Sequence, residues 1–200
     1  AHAEFCPYNT LRYMKSLIIK GLLAFIACIL ITNSCEESPL ELSEEEFDLN
    51  SGVFIVNEGQ FLSANASVSF FNPAGDSVHN HVFYRANGVS LGDVAHSMLI
   101  REDEAFIVVN NSGKIYRTGL RDLAFRGKIT GLTSPRYITI ESSSQENPKA
   151  YVSDLYSGYV MVVDPMDGTV LDSVKISRNG ERLSSEQMIL HNGKLYVACW

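Results

Sequence analysis

A strand-like motif returns at a fixed interval in this chain and limits what it can fold into. Ala105-Phe-Ile-Val-Val-Asn110, Ala150-Tyr-Val-Ser-Asp154 and Leu195-Tyr-Val-Ala198 are all rich in β-branched and aromatic residues, and Phe106, Tyr151 and Tyr196 follow one another at steps of 45 residues. A period of about 45 residues is that of a four-stranded sheet repeated around an axis, the blade of a β-propeller. A weaker copy, Val53-Phe-Ile-Val-Asn57, lies earlier, with 52 residues from Phe54 to Phe106. The expectation is an all-β fold over 51–200, built of four-stranded blades.

Each unit divides into four short strands. The first complete one reads Met98–Ile100, Phe106–Asn110, Ile115–Thr118 and Phe125–Ile129; the next reads Tyr137–Ile140, Ala150–Ser153, Tyr159–Asp164 and Val170–Ile176. Between them stand turn signals rather than helix caps: Asn72-Pro-Ala-Gly75, Asp164-Pro-Met-Asp-Gly168 and His191-Asn-Gly-Lys194. No segment after residue 50 sustains a 3.6-residue period, so essentially no helix is expected there. About three and a half units fit between Gly52 and Trp200, fewer than the four blades of the smallest closed propellers. That count, and an ending on a strand, read as the front part of a longer, seven-bladed protein.

The first 50 residues differ from the rest. Residues 1–13 precede the first plausible start methionine and read as an extension outside the fold. Met14-Lys-Ser16 and Lys20 form a positive segment, followed by an uncharged apolar run, Gly21–Ile31, too short to span a bilayer. Residues 14–34 therefore read as a secretory signal. Ser34 directly before Cys35 fits lipoprotein processing, in which the Cys35 thiol takes the lipid and becomes the mature N-terminus. Only Cys199 then remains in the mature domain, so no disulfide framework is available and the fold must stand on its core. Residues 35–50 carry Glu36, Glu37, Glu41 and Glu44–Glu46 with few large apolar groups, a solvated tether. Three of the 16 Lys and Arg and one of the 23 Asp and Glu lie in residues 1–34, which leaves the remainder at −9. Such a surface repels phosphate backbones, so nucleic acid is not an expected partner.

Strand direction sorts the loops onto two faces. One collects Asn57–Phe61, Tyr84–Gly88, Asn110–Ser112, Arg136-Tyr137, Asp154–Tyr156 and Arg178-Asn179; the other carries Arg101–Glu104, Glu141–Gln145 and the Pro-Gly turns. The first face is richer in amides, arginines and aromatics, groups that bond carbonyl and hydroxyl oxygens and stack on flat ligands. The candidate ligand-binding residues are Arg85, Asn87, Asn110, Asn111, Arg136, Tyr137, Asp154 and Tyr156. The competing reading is that Asn and Asp after strands merely close turns. Catalytic and metal patterns do not hold up. Gly88-Val-Ser-Leu-Gly92 has nucleophile-elbow spacing, but no helix pattern follows Ser90. His79 and His81 alternate on a strand without a third ligand at a diagnostic spacing. Asp164–Gly168 lacks a calcium-loop series, and no phosphate-binding glycine loop occurs. Neither a catalytic residue nor a metal or cofactor is assigned.

Ala150-Tyr-Val-Ser-Asp154, with Tyr159–Pro165 and Gly168-Thr-Val170, resembles the YVTN-type repeat of YncE-like seven-bladed propellers. Val56–Gly59, Phe83–Gly88, Leu91–Val94, Val109–Gly113 and Leu132–Tyr137 resemble segments of Gram-negative surface lipoproteins, over roughly residues 50–200. Some members of that group capture cobalamin at the cell surface and pass it to a TonB-dependent outer-membrane transporter. The resemblance implies a non-catalytic capture protein, anchored in the outer membrane through its lipid alone and exposed at the cell surface, with a corrinoid as leading ligand and such a transporter as partner. The acidic tether resembles the surface-export signal of some of these lipoproteins. Two other classes stay open, a lactonase- or lyase-type propeller enzyme and an adhesion or assembly scaffold. If Cys35 is the lipid attachment site, metabolic labelling with an alkyne fatty acid will tag the full-length protein and leave Cys35→Ser unlabelled; equal labelling of both would refute the assignment.

Overall fold

A computed structural model of the chain describes Leu49, residues 51–141 and residues 148–200. The signal segment, Cys35 and all of the tether but Leu49 lie outside the described residues. Leu49 is buried in the first hydrophobic cluster, so the end of the stretch read as tether already belongs to the core.

The described residues are all-β except for one short helix. Two complete four-stranded antiparallel sheets follow chain order. The first holds β4 (Ala95–Arg101), β5 (Glu104–Val109), β6 (Lys114–Gly119) and β7 (Phe125–Ile129). The second holds β8 (Pro135–Ile140), β9 (Ala150–Asp154), β10 (Tyr159–Val163) and β11 (Val170–Lys175). Ahead of them β1 (Val53–Asn57), β2 (Ser67–Asn72) and β3 (Ser77–His79) form a three-stranded sheet. After them come a small hairpin, β12 (Ser177–Arg178) with β13 (Glu181–Arg182), and a pair, β14 (Ser185–His191) with β15 (Lys194–Cys199).

The sequence repeat is a structural one. Ile107, Val152 and Val197, at the 45-residue step, pair respectively with Met98, Ile138 and Met188 on the preceding strand. The next backbone N–H closes each unit in the same way: Asn110, Leu155 and Trp200 donate to the carbonyls of Val94, Ser134 and Ser184. The leading strands β4, β8 and β14 lie side by side, and β5 and β9 each also touch the leading strand of the next sheet. β1 touches β4 in the same manner, so β1 stands in the second-strand position of its sheet.

Packing explains why the second strands are the most apolar. Along β5, Ala105, Ile107 and Val109 enter one cluster with Val68, Phe70, Val82, Phe83 and Leu91, whereas Phe106 and Val108 enter another with Ile138, Val152 and Val163. A strand covered on both sides loses the polar-out half of its alternation. β9 and β10 are mostly buried, and the outer strand β11 is exposed throughout.

The expectation of no helix after residue 50 is corrected by α1 (Val82–Asn87). Val82 and Phe83 point into the first cluster, Phe83 packs on Tyr116 at 5.0 Å or less between ring centroids (4.9 Å), and Gly88 ends the helix with φ of 66°. Six residues are too few to leave a periodic signature; only the left-handed glycine after them marks the stop. His81 sits at the helix start rather than on β3, so the strand alternation expected for His79 and His81 ends at His79. Among the described residues no helix is long and apolar enough to cross a membrane.

Phe106→Ala should cost about 3–5 kcal/mol, the range for emptying a buried phenylalanine site, while Val78→Ala at an exposed strand position should cost under about 1 kcal/mol. Urea denaturation of the two variants side by side tests the double-sided burial of β5; equal losses would contradict it.

Candidate functional site

The starts of the three leading strands share one irregularity. In β4 the ladder passes from Ala95–Val109 to Ser97–Val108, in β8 from Pro135–Asp154 to Ile138–Val152, and in β14 from Ser185–Cys199 to Met188–Val197. Each leading strand thus carries one extra residue, a β-bulge, which re-aims a side chain without unpairing the rest of the strand. Counting back from Met98, Ile138 and Met188 puts His96, Arg136 and Glu186 at the same bulge position of successive sheets.

Arg136 and Glu186 meet, and His96 lies within reach of both charges. Arg136 Nε donates to Glu186 Oε2 at 2.9 Å, both side chains being about four-fifths buried. The His96 ring packs edge-on against Tyr137, with centroids 5.1 Å apart at 83°. His96 Nε2 is buried and has no hydrogen-bond partner. Burial, reinforced by the Arg136 charge and opposed by Glu186 and Glu58, holds the imidazole below its ordinary pKa, so the ring is biased toward neutral. Ser97 Oγ donates to the Arg136 carbonyl at 2.6 Å and fixes the two leading strands against each other here.

The segment leading into β4 is strained. Val94 has φ of 60°, an outlier for a β-branched residue, and its carbonyl accepts from Asn110 N at 2.7 Å. Next to it Asp93 is buried. Its Oδ2 accepts from Leu62 N and from Asn111 Nδ2, its backbone N donates to Ser112 Oγ, and its Oδ1 has no partner. The bond to Leu62 anchors the β1–β2 loop, where Leu62 and Ala64 also have positive φ. That loop displays Phe61 and Leu62 at 63% and 76% exposure.

The structure separates the eight sequence candidates. Arg136 and Tyr137 belong to the cluster, and Tyr156, 68% exposed, stands on the same face after β9. Asn111 is exposed and braces Asp93. Asn110 and Asp154 are committed inward. Asn110 Nδ2 donates to Ser134 Oγ and the Pro135 carbonyl, both at 2.9 Å. The Asp154 carboxylate is fully buried and accepts from four backbone amides, those of Thr133, Ser134, Tyr156 and Ser157. For these two the turn-closing alternative describes the side chain.

Arg85 and Asn87 lie on α1 rather than in a loop between strands. Asn87 donates to the Leu123 carbonyl and accepts from Phe125 N, on the β6–β7 connection. That connection is at the opposite strand end from Asn110, so the helix takes Asn87 away from Arg136. Ser90 Oγ donates to the Ala64 carbonyl at 2.8 Å.

The ligand-binding candidates read from the sequence do not include Glu186 or Asp93, nor His96, which enters only as the residue whose variant would test the enzyme alternative. The 45-residue step runs along the second strands, whereas the leading strands are 40 and then 50 residues apart from Met98 to Ile138 to Met188. Glu186 therefore falls outside any fixed-period alignment. Among the described residues no three His, Cys, Asp or Glu side chains gather as a metal site.

Residues 51–190 match the family model described as "Domain of unknown function (DUF5074)", and the chain belongs to that family. No curated protein matches it.

Because the folded-state pKa of His96 is depressed, the unfolded chain binds the extra proton first. The His96 contribution should therefore favour the fold above the ordinary histidine value near 6.5 and erode as pH falls through it toward the lowered value, flattening below. Denaturation of the parent and His96→Phe at pH 8 and pH 5 should show a smaller acid loss in the variant; identical pH dependence would contradict a buried neutral His96.

Proposed function

We propose that this DUF5074 protein is a surface-anchored, non-catalytic capture protein, with the loop face around His96, Arg136, Tyr137 and Glu186 as its binding surface and a corrinoid as its leading ligand. The observation that carries the reading is the convergence at successive strand bulges of a cation, an anion, an imidazole and an aromatic ring. Bulges that re-aim side chains are over-represented beside functional sites, and strain such as that at Val94, of order 1–3 kcal/mol, persists where the surroundings over-determine it.

The finer architecture in this reading is a β-propeller. Its support is the chain-order four-stranded sheets, the adjacency of leading strands and the recurrence of equivalent rungs at 45 residues. Such an arrangement brings loops distant in sequence to one rim. Exposed Phe61 and Tyr156 offer apolar surface to a flat macrocycle, and Arg136 and Tyr137 offer polar contacts to its periphery. The lipid at Cys35 and the acidic stretch behind it would hold the domain at the outer-membrane surface, where a TonB-dependent transporter is the natural recipient of the ligand.

Calorimetric titration with cyanocobalamin tests the ligand. Binding in the micromolar range or tighter is expected, weakened roughly tenfold or more by Arg136→Ala or Tyr137→Ala, as for central contacts of an interface. Affinity no tighter than millimolar would remove the corrinoid from the proposal.

A further inference from the structure

The bulge cluster also specifies which chemical group it can read. Arg136 and Glu186 meet through one contact, Nε to Oε2. The two Nη groups of Arg136 and Oε1 of Glu186 make no other protein hydrogen bond among the described residues. A guanidinium edge, which only donates, thus stands beside a carboxylate oxygen, which only accepts. The nearby imidazole adds a buried polar atom, His96 Nε2, that the protein does not satisfy. A buried polar atom left unpaired carries a desolvation cost that a ligand group can remove.

Candidate groups are sorted by charge and by bonding capacity. A carboxylate would accept from Arg136 but would face the Glu186 carboxylate at close range. An ammonium would donate to Glu186 but would face the Arg136 guanidinium. The ion pair cancels itself and His96 is biased neutral, so a net charge of either sign meets one like charge and gains little from the cluster as a whole. A hydroxyl can donate to one side only and offers no planar edge. A primary carboxamide carries an acceptor oxygen and a donor NH2 side by side in one plane, the complement of a donor set beside an acceptor.

We infer that Arg136, Glu186 and His96 form a subsite for an uncharged primary carboxamide, whose oxygen accepts from an Arg136 Nη–H and whose NH2 donates to Glu186 Oε1. His96 Nε2, in its unprotonated form, accepts the second N–H of the same amide. The inference deepens the capture reading and rests on it for the use of this face, but it does not depend on the ligand being a corrinoid. Recognition of this kind is selective because a ligand lacking the NH2 leaves Glu186 and His96 unpaired.

The test uses small probes and the full chain. With 15N-histidine labelling, the His96 ring resonances are followed during titration with benzamide and with benzoate. Benzamide should shift His96 Nε2 in a saturable way, and benzoate at the same concentrations should shift it at least about tenfold less. Glu186→Gln removes the anion while keeping the side-chain shape and leaves Arg136 uncompensated, so its preference should reverse toward benzoate. Arg136→Gln should lose the benzamide response. A benzoate response equal to that of benzamide in the parent protein, no saturable shift at His96, or an unchanged preference in Glu186→Gln would overturn the subsite. The result is distinguishable from the corrinoid titration. Cyanocobalamin binding with no benzamide response refutes the carboxamide subsite alone, and a benzamide response without cyanocobalamin binding refutes the corrinoid alone.

Discussion

The fold depends on strands that are buried on both sides. β5 delivers alternate residues to two different clusters, so the sheet it belongs to has no solvent face at its middle. Each large apolar side chain buried this way contributes about 1.5–3 kcal/mol, and the two clusters draw on five consecutive residues, Ala105–Val109. The sheet of β4–β7 therefore cannot move without opening both cores. The leading strands β4, β8 and β14 lie side by side, which lets residues 40 and 50 positions apart share a surface.

What was legible in the sequence follows from the same constraint. Phe106 and Tyr151 stand out on strands that are mostly buried, and the 45-residue step that Tyr196 continues on the exposed strand β15 survives as equivalent rungs in the ladders. The outer strand β7 could be bounded at Phe125 and Ile129 because turn residues flank it on both sides. The helix at Val82–Asn87 was not legible, since two inward residues, Val82 and Phe83, are as compatible with a strand as with a turn of helix. The site divided for a related reason. Arg136 and Tyr137 were visible as polar and aromatic residues at a strand start, but His96 and Glu186 gain their meaning only from a bulge, and a one-residue surplus is defined by pairing with another strand. Asp154 looked like a ligand-facing acid and is instead saturated by four amides, a state set by the path of 133–134 and 156–157 around it.

Ion pairs stand at both strand ends. At the far ends Arg117 and Arg126 share Glu104 and Arg126 also reaches Asp103; the Arg117–Glu104 pair is largely buried, and the exposed Arg126–Asp103 contact is of the kind that contributes little. At the bulges the single Arg136–Glu186 pair is about as withdrawn from water as Arg117–Glu104, lies near an unsatisfied imidazole and adjoins a strained backbone turn at Val94. Burying such a pair has a desolvation cost that its mutual attraction offsets only in part.

A surplus residue in each leading strand separates two demands that an ordinary strand position must meet together. Met98, Ile138 and Met188 answer to the ladder, while His96, Arg136 and Glu186 sit outside strict pairing and are released from its register. Substitution at those three positions can leave the apolar layers untouched, so the polar character of the strand starts can change at one position per sheet without cost to the core.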